Sequence, residues 1–337
     1  MICHQSDRTR TKSWMLVLSM LALFGCDQAT VSSSASSRAA ASELAPAAAY
    51  APVTVTHKLG TTVVESLPKR VVALDMNEVD FLDQLGVAVV GMPKDFVPSY
   101  LRRYKDDPQV RDVGAIVNPN LEQVYAAKPD LILISSLQAN HYPELSQIAP
   151  TIHYDVDYRN SHAGHLDIVK AHLLTLGQIF EKPAQAQQIA AQLDASVADV
   201  RAVTSQGQAN KALIVLHNNG AYSAFGVQSR YGFVFNELGV VPANATAETG
   251  LHGRPISSEF IQQVNPDVIY VVDRTAVMEH NATLNKTTMA NPLLKETSAW
   301  QNDRVVFVDP YAWYVTAASP TSVQHVMRDI AKGFAQP

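Results

Sequence analysis

"NLEQVYAAKPDLILIS" (residues 120–135) and "SSEFIQQVNPDVIYVV" (257–272) are two versions of one unit. Each carries a glutamate (Glu122, Glu259), an apolar helix face, a Pro-Asp pair and then a run of β-branched and apolar residues that reads as a buried strand. Glu122 stands eight residues before Asp130, and Glu259 eight before Asp267. A solenoid needs several stacked copies, so a single repetition points to two lobes of similar design, with a cleft between them as the place for a ligand. The second copy runs on into "VVDRTA" (271–276) and puts Arg274 where the strand emerges. Arg274 either pairs with Asp273 at the surface or converges with other cations on an anionic ligand.

Outward from these units the chain alternates strands with short helices. "VTVTHKLGTTVVES" (53–66) reads as a hairpin around Leu59-Gly60, "RVVALD" (70–75) as a strand, "MNEVDFLDQLG" (76–86) as a helix closed by Gly86, and "VAVVGM" (87–92) as a further strand. "APTIHYDV" (149–156) ends this half, and "KALIVLH" (211–217) starts the next. Alternation of this kind predicts an α/β fold with mostly parallel sheets. Between the halves, 161–205 has apolar residues at three- and four-residue spacing, with Pro183 suited to the first turn of a second helical segment. The expected organisation is an N-terminal lobe over 53–160, a bridging helical region over 161–205 and a C-terminal lobe over 206–337. His162, His165 and His172 fall at helical spacing and are expected on a solvated helix face, a metal site there being the minor alternative.

The first 52 residues read differently. Arg8, Arg10 and Lys12 precede the apolar "WMLVLSMLALF" (14–24), which is too short to span a bilayer as a mature helix. The stretch ends "LFGC" and resembles a bacterial lipoprotein signal. That resemblance implies removal of 1–25, lipidation of Cys26 and, with Asp27 next, retention at the periplasmic face of the inner membrane. Cys3 leaves with the signal, so the mature chain has no cysteine for a disulfide or thiolate site. The Ser/Ala-rich stretch 26–52 is expected to be a lipid-anchored flexible tether. Over the whole chain, 47% hydrophobic and 17% charged residues describe a globular protein rather than a disordered one. A net charge of -5 without a basic stripe gives no footprint for nucleic acid.

No dinucleotide fingerprint, phosphate loop, nucleophile elbow or zinc-protease motif appears. Chemistry gathers instead in the second half. "GVQSRYGFVFNELG" (226–239) is a Gly-led turn and a helix with Arg230 in its first turn, and "TGLHGRPISSEF" (249–260) sets His252 before a helix starting near Ser257. Arg274 follows a strand, and "VDPYAWYVTAASP" (308–320) places Trp313 and Tyr314 on a loop after another. In a parallel lobe, strand-exit loops gather at one sheet edge, where ligands bind. Each residue alone has a bland reading as a surface arginine, a loop histidine or a half-buried aromatic. Together, two cations, an imidazole and a phenol fit an anionic, aromatic ligand.

"SRYG", "HGRPISSEFI", "NPDVIYVVDR" and "DPYAWY", with "LISSLQANHY" upstream, resemble the periplasmic binding proteins of iron–siderophore ABC importers, in particular the catechol-type and ferric-anguibactin-binding lipoproteins. The resemblance covers roughly 53–337. It implies two α/β lobes joined by a long rigid helix, a monomer with no intrinsic cofactor, and a ferric siderophore as the transported ligand. By position it implies that Arg230 and Arg274 hold the anionic chelate and that His252 and Tyr314 are candidate Fe(III) contacts; Trp313, on the same loop as Tyr314, is expected to line the ligand site as well. It also implies that Glu122 and Glu259 dock onto an inner-membrane ABC permease. Where catechol binders carry an arginine, this chain has Leu137, which implies a less highly charged ligand such as a mixed catecholate–hydroxamate. Two other readings stand beside this one: a haem- or corrinoid-binding protein of the same fold, and an exported hydrolase using His252 or Tyr314.

Overall fold

The strand at the centre of the second repeat spans Val268–Asp273 and is buried along its whole length. Its side chains alternate between two cores, as period-two geometry requires. Val268, Tyr270 and Val272 face the helices that connect the lobes, while Ile269 and Val271 pack with Ile261, Leu294 and Ala299 on the outer face. The strand pairs in parallel with Lys211–Asn218 and Val305–Phe307. Past Lys211–Asn218 the sheet turns antiparallel through Ala221–Phe225 and Arg254–Ile256. In the first lobe five strands pair in parallel, in the order Arg111–Asp112, Val89–Met92, Val71–Ala73, Leu131–Ile134 and Thr151–His153. The expected hairpin forms between Val53–His57 and Gly60–Val64. These elements are seen in a computed structural model that describes residues 49–161, 164–205, 210–244, 250–281 and 284–335. The signal, Cys26, the tether up to residue 48 and His162 lie outside the described residues.

The repeated Pro-Asp has a structural cause. In the first lobe the Asp130 carboxylate accepts from the backbone N–H groups of Lys69 and Arg70, both at 2.8 Å, and its own N–H donates to Arg70 O at 2.9 Å. In the second, Asp267 accepts from Lys211 N at 2.9 Å and donates to Lys211 O at 2.8 Å. Each aspartate thus ties the start of its own strand to the start of the neighbouring one, satisfying backbone groups at the sheet end. The helices before them are Leu121–Ala126, capped by Asn120, and Ser258–Val264, capped by Ser257. Glu122 and Glu259 are the second residue of their respective helices, and both are exposed.

The bridging region forms two antiparallel helices, each running from one lobe to the other. His165–Ile179 begins on the second lobe, where Glu237 accepts from the N–H groups of His165 (2.7 Å) and Leu166 (3.2 Å). A carboxylate there satisfies orphan donors and suits the helix dipole. The helix ends on the first lobe, where Ile179 O accepts from the Tyr50 hydroxyl at 3.0 Å. Tyr50 falls within the stretch expected as tether and is packed on the folded core. Glu181, at φ 55°, breaks the helix, and Pro183 opens Pro183–Thr204. That helix returns to the second lobe, where Thr204 Oγ1 donates to Leu238 O at 2.8 Å. The last helix, Pro320–Phe334, spans the lobes as well: its start is held by Asp80, which accepts from Thr321 N at 2.8 Å, and near its end Ile330 O accepts from Tyr270 at 2.7 Å. Gly333 lets this helix lie directly on Tyr270, since a Cβ there would collide with the phenol.

One apolar cluster therefore runs through both lobes, from Val71 and Leu131 to Ile214 and Tyr270. It leaves His165 and His172 no place on a solvated face. They are 4% and 8% exposed, with His165 Nε2 donating to Ala317 O at 2.8 Å and His172 Nε2 lying 2.9 Å from Glu78 Oε2. Burial pushes His165 down to about 4, so its imidazole is neutral. The helical spacing of these histidines was legible, but not that both flanks of the helix are covered.

Candidate functional site

The parallel strands of both lobes end at a cleft of about 390 Å³, the usual position for a ligand in α/β sheets. The first lobe contributes Asp95 and Phe96 after Val89–Met92, Leu137 after Leu131–Ile134 and Tyr158 after Thr151–His153. The second contributes Arg230, His252, Arg274 and Tyr314. Four of the five residues expected at the site thus share one wall. Apolar side chains, among them Ile116, Val117, Leu251 and Met278, make up most of the remaining surface.

Arg274 is the first residue of the helix Arg274–Glu279, which starts directly on the buried strand. It does not pair with Asp273. That carboxylate caps the helix by accepting from Ala276 N at 3.3 Å and lies 3.1 Å from His217 Nδ1. Arg274 instead donates through Nε to the Tyr314 hydroxyl at 2.7 Å and through Nη1 to Asn218 Oδ1 at 3.0 Å. Arg230 lies in the turn before the helix Gly232–Asn236 rather than in a first helical turn, because Ser229 Oγ bonds Gly226 O and Tyr231 N and holds the chain in that turn. Only 7% exposed, Arg230 donates to Tyr314 O at 2.8 Å. The two guanidinium carbons stand 5.3 and 5.5 Å from the centre of the Tyr314 ring. Among the described residues neither arginine has a carboxylate within 4.0 Å.

His252 stacks on Tyr314 with ring centres 6.0 Å apart. Gly253 holds the turn open at φ 71°, where a Cβ would sit 2.6 Å from Ala224 O. Partial burial, then the charges of Arg274 and Arg230, push the His252 imidazole below its ordinary value. A neutral ring keeps a lone pair available at neutral pH.

Trp313 does not belong to the site. It is fully buried, its indole N–H donates to Asp329 Oδ2 at 3.0 Å, and its ring packs by Tyr231 and Tyr270. The expected loop is a π-helical turn over Tyr311–Thr316, and a one-residue step around such a turn rotates a side chain by roughly a quarter turn. Tyr314 consequently faces the cleft while its neighbour faces the core.

Asn218, Asp95 and Tyr158 belong to this geometry but carry no motif. Asn218 ends the Lys211–Asn218 strand and braces Arg274. Tyr158 donates to the buried Asp75 at 3.1 Å, and burial followed by that carboxylate raises its phenol well above the ordinary value. The one signal available for them was position, since Asn218 ends a strand and Asp95 lies just past one.

The sequence pattern described as periplasmic binding protein matches residues 71–312. The chain belongs to the periplasmic binding protein family. This periplasmic binding protein is 55% identical over 283 residues to the ferric-anguibactin-binding protein FatB of Vibrio anguillarum, covering 84% of this chain and 88% of FatB. It is 36% identical over 287 residues to the petrobactin-binding protein YclQ of Bacillus subtilis, with 83% and 88% covered. Its fold superposes on the siderophore-binding protein BauB, solved with a complex between two molecules of acinetobactin and ferric iron. The TM-score is 0.82 and the identity 56%, with 85% of this chain and all of that one covered. No helix among the described residues is long and apolar enough to cross a membrane.

Proposed function

We propose that this periplasmic binding protein is the substrate-binding component of an iron–siderophore ABC importer, a binder rather than an enzyme. It captures a ferric catecholate or mixed catecholate–hydroxamate in the interlobe cleft. The observation that carries this reading is the pair of arginines around Tyr314, which among the described residues have no carboxylate within 4.0 Å, in an otherwise largely apolar cleft. Planar guanidinium forks match chelating oxygen pairs and keep their charge in a cleft. The relatives that bind ferric siderophores support it. Leu137 in the cleft wall favours a ligand with fewer anionic oxygens than a tris-catecholate. In this reading the chelator holds the iron, with His252 and Tyr314, stacked at the cleft wall, as supplementary donors.

Titration with a ferric bis-catecholate tests this reading. Saturable quenching of tryptophan fluorescence is expected, together with a change in the visible charge-transfer band on binding. Phenolate is a hard donor suited to Fe(III), so Tyr314→Phe should remove that change. Absence of saturable quenching would refute the function. Identical spectra for wild type and Tyr314→Phe would refute ligation by the phenol alone.

The proposed address is the periplasmic face of the inner membrane, as a monomer held by a lipid on Cys26. The basic n-region, the short apolar run and "LFGC" support it. A lipid chain at Cys26 keeps the receptor near its permease. Cys26→Ser should release the protein into the soluble periplasmic fraction. A wild-type protein that is itself soluble, or that fractionates with the outer membrane, contradicts the anchor as assigned.

A further inference from the structure

Opposite the arginines, the same cleft contains a carboxylate that an anion site does not call for. Asp95 follows the Val89–Met92 strand and lines the cleft from the first lobe. Among the described residues its Oδ2 receives one long contact, from Ile116 N at 3.4 Å, and its Oδ1 is shielded from solvent and has no hydrogen-bond partner. No basic side chain lies within 4.0 Å of it among the described residues. A buried acceptor without a donor is unfavourable, and a carboxylate facing an anionic chelate adds repulsion. Phe96 beside it, at φ 44°, has a left-handed backbone, and its ring stacks on His280 of the other lobe with centres 6.0 Å apart. The Asp95 loop is thereby braced across the cleft mouth.

We infer that Asp95 is a second polar pole of the cleft, accepting a hydrogen bond from a cationic or N–H-bearing group on the ferric chelate while the arginines hold its anionic oxygens. The inference rests on the siderophore reading and narrows it: the ligand is bipolar, with a basic or donor arm that lies away from the iron-binding oxygens. Partial burial raises the Asp95 carboxyl from its ordinary value, in keeping with an acceptor whose donor arrives with the ligand.

The test compares two ferric bis-catecholates that share one linker, one with a pendant primary amine and the other with a methyl group in its place. Affinities are measured by calorimetry on wild type, Asp95→Asn and Asp95→Ala. Wild type should prefer the amine complex by about tenfold or more, the scale of a hydrogen bond to a charged group. Both variants should weaken the amine complex by that factor and tighten the methyl complex roughly twofold or more, because the repulsion is gone. Opposite signs for the two complexes are the signature, which a merely structural role of Asp95 would not produce. Changes of the same sign, or no change, overturn the proposal. If wild type binds neither complex, the siderophore reading itself fails, and this proposal with it.

Discussion

Arg274→Ala is expected to weaken binding of a ferric catecholate by about 1.5–3 kcal/mol, roughly 10- to 150-fold, with Arg230→Ala in the same range. Each substitution removes a charge-assisted donor from the cleft, and each also frees Tyr314. Arg274 Nε holds its hydroxyl at 2.7 Å and Arg230 Nη2 its carbonyl at 2.8 Å. The effects should therefore not add, because the two residues share a partner. Arg274→Lys is expected to recover little, since a point charge cannot reproduce contacts to Tyr314 and Asn218 from one planar fork. Thermal unfolding separates this from a folding defect: Arg274 is partly exposed, so its melting temperature should stay near wild type, whereas the more buried Arg230 needs that control most. Wild-type affinity in both alanine variants would remove the anion clamp.

The second large effect concerns delivery. Glu122→Arg combined with Glu259→Arg should leave chelate affinity near wild type and abolish iron uptake in cells. The repeat gives both glutamates the same helical position, but the fold itself explains only the aspartates. Asp130 and Asp267 are occupied by backbone donors at the sheet ends. Glu122 makes no hydrogen bond or ion pair among the described residues, and Glu259 is met by the cap residue Ser257 and its own backbone N–H, which lower its carboxyl from the ordinary value. First-turn acids favour the helix dipole by a few tenths of a kcal/mol, too little for a growth phenotype. A matched pair of exposed acids, one per lobe, suits a two-fold permease carrying basic residues, where charge sets orientation and encounter rate. Growth of the double variant on the siderophore as iron source would reduce both residues to helix-capping acids.

A fold built on shared helices changes what binding can do. The two lobes are joined by one apolar cluster and by polar ties such as Tyr100 Oη to Thr316 Oγ1 at 3.1 Å and Tyr154 Oη to Ala318 O at 2.9 Å. A wide hinge motion would break these contacts together. In the proposed reading, selectivity would accordingly rest on groups already in place, namely the arginines, the apolar wall with Leu137, and Asp95.

Local patterns were enough for the architecture. Continuous runs of β-branched and apolar residues marked Val71–Ala73, Leu131–Ile134 and Val268–Asp273, and the repeated helix, Pro-Asp and strand announced two lobes, because strand burial and turn chemistry are written in neighbouring residues. The order of second-half motifs pointed to Arg230, His252, Arg274 and Tyr314, which the fold brings to one wall. Tertiary structure alone decided which of two adjacent aromatics meets the cleft: the π-helical turn sends Tyr314 out and Trp313 in. It also buried His165 and His172, whose covering surfaces come from residues far along the chain, Ala317 and Glu78. Asp95 came to face the arginines in the same way, across lobes, through contacts between distant segments that no local spacing encodes.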